Sequence, residues 1–241
     1  MRVLVIRPEV QAQRTAAKLA QLGHEAVIFP LFQPLHDTAL CREALKSSYS
    51  ALAITSAESV RCMLDLGDEL KPYLDRPLFT VGRATARCAR EAGFTRVIAA
   101  HGNGHDFAAL VAGHIATSAE GPKPVLYLAG VKRNGGFEET LRGNDIDFAT
   151  AEIYDMAPVP YTIEQQQAHL VNTPVDAVFF FSKENAKAFF ALDVYRQSRE
   201  SLARTLFFCL SRNIAEAVPE ELRHSAVISD DPDEDELMDL L

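Results

Sequence analysis

The stretch Ala51 to Leu64, ALAITSAESVRCML, recurs in design 126 positions later as Ala177 to Phe190, AVFFFSKENAKAFF. In both, an apolar run fit for a buried strand breaks at a serine, Ser56 or Ser182, with Glu58 or Glu184 two residues on and Arg61 or Lys187 five residues on. That order reads as a strand, a cap and the first turn of a helix. A helix that begins at the C-terminal end of a parallel strand aims unpaired N–H groups and a partial positive charge beyond the sheet, where anions bind. Two copies suggest two anion sites facing one another.

The repeat extends over the whole chain. Val125 to Leu128 opens the second half as Val3 to Ile6 opens the first, and Leu141 matches Leu19 at the same offset of 122. Leu78 to Arg87, LFTVGRATAR, aligns with Phe207 to Glu216, FFCLSRNIAE, at an offset of 129, which pairs Gly82 with Ser211 and Arg83 with Arg212. Small loop insertions produce such drift. Between these landmarks strands and helices alternate: RVLVI at 2–6, a helix ending at Gly23, a strand at Ala26 to Leu31, then strands near Leu78 to Val81 and Val97 to Ala100. Alternation of this kind makes a parallel α/β sheet. Asp106 is placed to cap the helix containing Phe107, Leu110 and Val111.

Two extended, proline-bearing segments, Phe29 to Leu35 (FPLFQPL) and Ala151 to Pro160 (AEIYDMAPVP), fit connectors or sheet edges better than central strands. If the chain leaves one domain near residue 35 and returns near 160, the first domain combines residues 1–35 and 161–241 and the second spans 37–155. The fold expected is two similar parallel-sheet α/β domains, joined by a two-stranded connector, with a cleft between them.

Charge narrows the partners. The net −9 is concentrated in residues 229–241, which hold seven acidic residues and no Lys or Arg, leaving −2 for the remainder. The tail reads as a solvated extension, disordered or else helical near its end. Nucleic acid is not a partner, since no basic run interleaves with aromatics. The opening MRVLVIRPE is too short an apolar run for a signal peptide, and no run approaches a membrane span, so a soluble cytoplasmic protein is expected. Cys41, Cys62, Cys88 and Cys209 are scattered and read as reduced core thiols. His101, His105 and His114 match no zinc spacing, and there is neither a Walker motif nor a G-x-G-x-x-G, so no metal or cofactor is expected.

Taken in order, VLVIRP, ITSAESV, VGRATA, LAGVKR, the tyrosine of AEIYDMAP and FFFSKENA resemble the uroporphyrinogen-III synthase family over nearly all of the chain except the acidic tail. That resemblance implies two α/β domains on a two-stranded connector and cofactor-independent lyase chemistry in tetrapyrrole biosynthesis. It implies a substrate, hydroxymethylbilane, that is a linear tetrapyrrole bearing eight carboxylates. Loss of its hydroxyl gives an azafulvene, and attack through a spiro intermediate closes uroporphyrinogen III with the last ring inverted. Without enzyme the ring closes uninverted, so the enzyme's main task is orientation. The family also implies a monomer, with hydroxymethylbilane synthase as a transient contact.

Carried over residue by residue, Tyr154 matches the family's candidate for the acid that helps the hydroxyl leave; otherwise it is an ordinary amphipathic tyrosine on a strand edge. Thr55 and Ser56 cap a helix, with Thr55 and Glu58 at capping-box spacing, and are substrate contacts as well. Ser182, with Lys183 beside it, is their counterpart. Arg7, and Gly130 with Lys132 and Arg133, occupy matching loops in the two halves and are either carboxylate partners or solvated charges. Gly82 and Thr85 fit the family's turn; their repeat partners, Ser211 and Ile214, depart from it, since Asn213 and Ile214 stand where the family often has hydroxyl residues. Asn213 can still cap the helix, and Ser211 and Asn213 complete the substrate-binding set.

Duplicated lobes also suit a non-catalytic binding or sensor protein for a small polyanionic ligand, or a pseudo-enzyme whose tail recruits a partner. Turnover separates these: an enzyme yields the type III isomer, a binding protein leaves the spontaneous type I product.

Overall fold

The computed structural model describes residues 1–100, 104–117, 123–133, 135–197 and 202–241. In chain order the elements begin β1 (Arg2–Val5), α1 (Glu9–Gln21), β2 (Glu25–Ile28), β3 (Phe32–His36), α2 (Thr38–Leu45), β4 (Ala51–Ile54) and α3 (Ala57–Leu64). There follow β5 (Leu78–Val81), α4 (Arg83–Glu91), β6 (Val97–Ala100), α5 (Gly104–Thr117), β7 (Val125–Gly130), α6 (Gly136–Gly143) and β8 (Phe148–Pro158). The chain closes with α7 (Ile163–Leu170), β9 (Ala177–Phe180), α8 (Lys183–Phe190), α9 (Asp193–Gln197), β10 (Leu206–Cys209), α10 (Arg212–Ala215), β11 (Ala226–Ile228) and α11 (Glu234–Asp239). Helix α5 starts two residues before Asp106; His101 and the side chains of His105 and Asp106 lie outside the described residues. Among the described residues no helix is long and apolar enough to cross a membrane.

Two compact units result, Met1–Gln33 with Ala157–Leu241, and Pro34–Met156. The first holds a sheet of order β11-β10-β9-β1-β2, and the second one of order β3-β8-β7-β4-β5-β6. The pairings within β1, β2, β9, β10 and β11 and within β4 to β8 are parallel. Both sheets are apolar on both faces, as a parallel sheet covered by helices requires. In the first unit Leu4, Val178 and Phe207 face one core while Val3, Ala177 and Phe208 face the other. In the second, Leu52, Ile54 and Leu128 face one core and Ala53, Val125 and Tyr127 the other.

The internal repeat is confirmed at the level of single residues. Val3 pairs with Ala177 and Val125 with Ala51; Phe207 pairs with Val178 and Leu78 with Leu52; Phe207 pairs with Ala226 and Leu78 with Val97. Each second pair is the repeat image of the first at the sequence offsets, so both sheets share one register. Leaving aside the additional edge strand β3, both also follow one spatial pattern, in which the strand order reverses between β1 and β9 in the first unit and between β7 and β4 in the second. Ligands of open α/β sheets bind beyond the strand ends at such a reversal.

Pro34 lies in β3, an edge strand, the position in a sheet where proline is tolerated. The tail departs from the sequence expectation. Residues 229–241 are not a solvated, disordered extension: Asp233 caps α11, whose Leu237 and Met238 are buried in the core with Val3, Val5 and Phe179. The acidic residues that argued for solvation have partners on the body. Glu234 accepts from Thr15 Oγ1 at 2.7 Å and Arg7 Nη1 at 3.1 Å, and Lys18 pairs with Asp235. Two apolar residues side by side in a short acidic helix suffice to dock it, since each buried side chain contributes about 1.5–3 kcal/mol.

Candidate functional site

In the second unit, the ends of β4, β7 and β8 converge at the reversal point. Strand β4 stops at Ile54, and Ser56, in an extended conformation, becomes the cap of α3: its Oγ accepts from the Glu58 N–H at 3.1 Å. The expected capping box from Thr55 does not form, because the helix begins one residue later than it needs. Thr55 Oγ1 instead meets Tyr127 Oη at 2.9 Å, and Glu58 turns its carboxylate to Arg61 and to His36 Nε2 at 3.0 Å.

Tyr154 reaches the same place from β8. The β7–β8 ladder pairs Ala129 with Glu152 but Gly130 with Tyr154, leaving Ile153 as the extra residue of a bulge. Bulges re-aim side chains next to sites, and here the ring comes to lie on Gly130 while its hydroxyl lies beside the Ser56 side chain. Burial pushes the Tyr154 phenol above its ordinary pKa, the Ser56 side chain opposes this, and the charge of Glu58 adds to it. The phenol is thus a neutral donor at neutral pH.

The cations nearby are largely committed. Arg133 holds Glu138 and Glu152, each at 2.8 Å, and donates to the Gly130 carbonyl at 2.8 Å. Its bonds to Glu138 and Glu152 raise its own pKa, and its bond to Glu138 holds that carboxyl below the usual range. Arg133 therefore fixes the turn after β7 rather than standing as a solvated charge, whereas Lys132 is exposed. At the end of β5, Gly82 adopts φ +84°, open to a glycine and strained for other residues, and Thr85 is buried in α4.

In the first unit Arg7 follows β1, its guanidinium 4.0 Å from the centre of the Phe181 ring and bonded to Thr15 and Glu234. Ser182 caps α8 by accepting from the Asn185 N–H at 3.1 Å. Lys183 donates to Asn213 at 3.1 Å and to Glu216 at 2.7 Å. Asn213 lies inside α10 and does not cap it; the N-cap position falls to Ser211, which makes no side-chain cap bond. Ser211 lines a cavity of about 220 Å³ with Arg212, Ser229 and Asp230, at the ends of β10 and β11. Among the described residues no cluster of His, Cys, Asp and Glu could hold a metal ion.

The family model for uroporphyrinogen-III synthase HemD matches residues 13–239. This chain belongs to the uroporphyrinogen-III synthase family. The same fold occurs in a uroporphyrinogen-III synthetase of Helicobacter pylori, at a TM-score of 0.64 and 20% identity, covering 100% of this chain and 98% of that one. It occurs also in a mutant uroporphyrinogen III synthase of the extreme thermophile Thermus thermophilus, at a TM-score of 0.57 and 19% identity, covering 100% and 97%. No curated protein matches the chain. Membership in this family of synthases makes the chain a lyase-type cyclase of porphyrin biosynthesis.

Two participants, Tyr127 and His36, escaped sequence reading. Tyr127 reads as an ordinary core residue of an apolar strand, and only the fold brings its hydroxyl to Thr55. His36 and Glu58, 22 residues apart, meet because β3 runs beside α3. An isolated histidine at the end of a proline-bearing segment carries no spacing signal.

Proposed function

We propose that this chain closes hydroxymethylbilane to uroporphyrinogen III, with Tyr154 as the acid at the leaving hydroxyl and groups at the strand ends as hydrogen-bond donors to the substrate's carboxylates. The observation that carries the reading is a half-buried, neutral phenol beside the Ser56 cap at the reversal point of the second sheet. Tyr154 Oη–H donates to the hydroxyl as its C–O bond breaks, releasing water and leaving an azafulvenium cation beside the phenolate. The substituted carbon of the far ring attacks to give a spiro intermediate; its bond to the original bridging methylene then breaks, the ring's unsubstituted α-carbon recaptures that methylene, and the proton this carbon loses restores the phenol. A phenol that stays protonated suits this step, and acid assistance is worth about 10²–10⁴-fold. Thr55 and Ser56, with the N–H groups of the first turn of α3, offer donors to one carboxylate; Ser182 and Lys183 offer them to another. Lys132 is the exposed cation of the set, and Gly82 admits a ligand close to the backbone, whereas the space at Gly130 is filled by the Tyr154 ring. No cofactor takes part in this proposal.

The test is turnover of hydroxymethylbilane generated in situ, with the isomers separated after oxidation. The reading expects type III product in proportion to enzyme; type I product at the spontaneous rate alone would overturn it and leave a polyanion-binding protein.

A further inference from the structure

We propose that His36 is a positioning residue for Tyr154: by bridging β3 to α3 it closes a cage around Ile153 and so sets the direction in which the neighbouring phenol points. The cage is visible in the backbone. The Ile153 carbonyl, inside the bulge, accepts from the Asp37 N–H of the chain just after β3 at 2.8 Å and from Cys62 Sγ of α3 at 3.2 Å. One residue on, the Tyr154 carbonyl accepts from Val131 N at 2.9 Å. The peptide groups on either side of the Tyr154 Cα are therefore held from β3, from α3 and from the end of β7.

His36 ties the first two holders together. Its Nε2 lies 3.0 Å from Glu58 in the first turn of α3 and its Nδ1 2.5 Å from Asp65 at the C-cap of that helix, seven residues on and so on the same face. The groups facing the ring are Glu58, Asp65 and the Cys62 thiol. On its own strand the adjacent Asp37 carboxylate is engaged in capping α2 through Leu40 N at 2.8 Å. A neutral imidazole has one N–H and one lone pair, so only imidazolium can donate to both carboxylates. Glu58 also follows the Ser56 cap that lies beside Tyr154, which joins bridge and phenol by a second route.

Burial lowers the imidazole pKa, but the bonds to Asp65 and Glu58 outweigh it and leave the group above its ordinary value. A raised folded pKa means the bridge is complete below the unfolded histidine value of about 6.5 and is lost as pH rises through the folded value. Across that rise the phenol should lose its fixed direction.

The experiment has two arms on the full chain. In the first, nuclear magnetic resonance of ring-labelled histidine and tyrosine follows His36 and Tyr154, the latter assigned with Tyr154→Phe. The expected result is a shift of the Tyr154 ring signal at the His36 midpoint, absent in His36→Gln. A Tyr154 signal that ignores the His36 titration, or that keeps its inflection in His36→Gln, overturns the proposal. In the second arm, which rests on the function proposed above, kcat should fall by roughly 10- to 10²-fold across the same window with KM unchanged, the scale of a misplaced group. His36→Gln should flatten that limb; a limb that persists overturns the proposal. Should His36→Gln not fold, Asp65→Asn removes one carboxylate and must move the inflection to lower pH in both arms; an unmoved inflection overturns the proposal. If the native chain turns over no hydroxymethylbilane, the proposed function fails while the resonance arm still decides the role of His36.

Discussion

The ring of Tyr154 rests on Gly130 so closely that a methyl group at that Cα would stand 2.7 Å from Cζ and 2.9 Å from the hydroxyl oxygen. Both residues are fixed by the β7–β8 ladder, so neither backbone can retreat. Gly130→Ala should therefore cost about 1–3 kcal/mol of stability, the range for overpacking, and should lower turnover by displacing the phenol. Denaturant unfolding measures the first and initial rates the second.

Tyr154→Phe keeps the ring on Gly130 and removes only the proton. Turnover should drop by about 10²–10⁴-fold, with the product still type III and substrate affinity little changed. Enzyme-dependent type I product would mean that the tyrosine shapes the substrate instead.

Helix α11 is part of the first core. Leu237→Ala should destabilise the chain by about 2–5 kcal/mol, and deletion of residues 229–241 by more, because Arg7 and Thr15 then lose Glu234. Thermal unfolding of the truncated chain at unchanged midpoint would contradict the docking.

Arg133 holds the Glu138 carboxyl below its ordinary pKa. A depressed folded value contributes stability that is present above the unfolded value of about 4.3 and is lost as pH falls through the folded one. Arg133→Ala should therefore lower stability at neutral pH and flatten its decline in acid. Unfolding curves at pH 7 and pH 3 compare the two.

The repeat, the parallel α/β class and the family were legible in the sequence because strand runs, serine caps and glycine turns leave local signals. Offsets read from Val3, Ala51 and Leu78 proved to be residue registers. What was misread turned on partners distant in the chain. Arg7 looked open because Glu234 lies 227 residues away, and the tail looked solvated because its apolar pair is outnumbered by acids. Ser56 caps as the sequence suggests, but the capping box of Thr55 with Glu58 fails, because spacing alone cannot say whether a strand ends at residue 54 or 53. Sequence offered no hint that Ile153 is a bulge, since bulges depend on the facing strand.

The shared register also has a temporal side. Val3 must pair with Ala177, whereas Ala51 and Val125 complete the equivalent pair within the middle of the chain. On a ribosome, the second unit can therefore be finished while β1 and β2 still lack their neighbour β9. Two largely apolar strands wait, unpaired on one edge, for roughly the time taken to synthesise an entire domain, at about 5–20 residues per second. Strands made long before β9 are among the last to be sheltered, and in that interval this chain depends most on whatever keeps exposed strands apart.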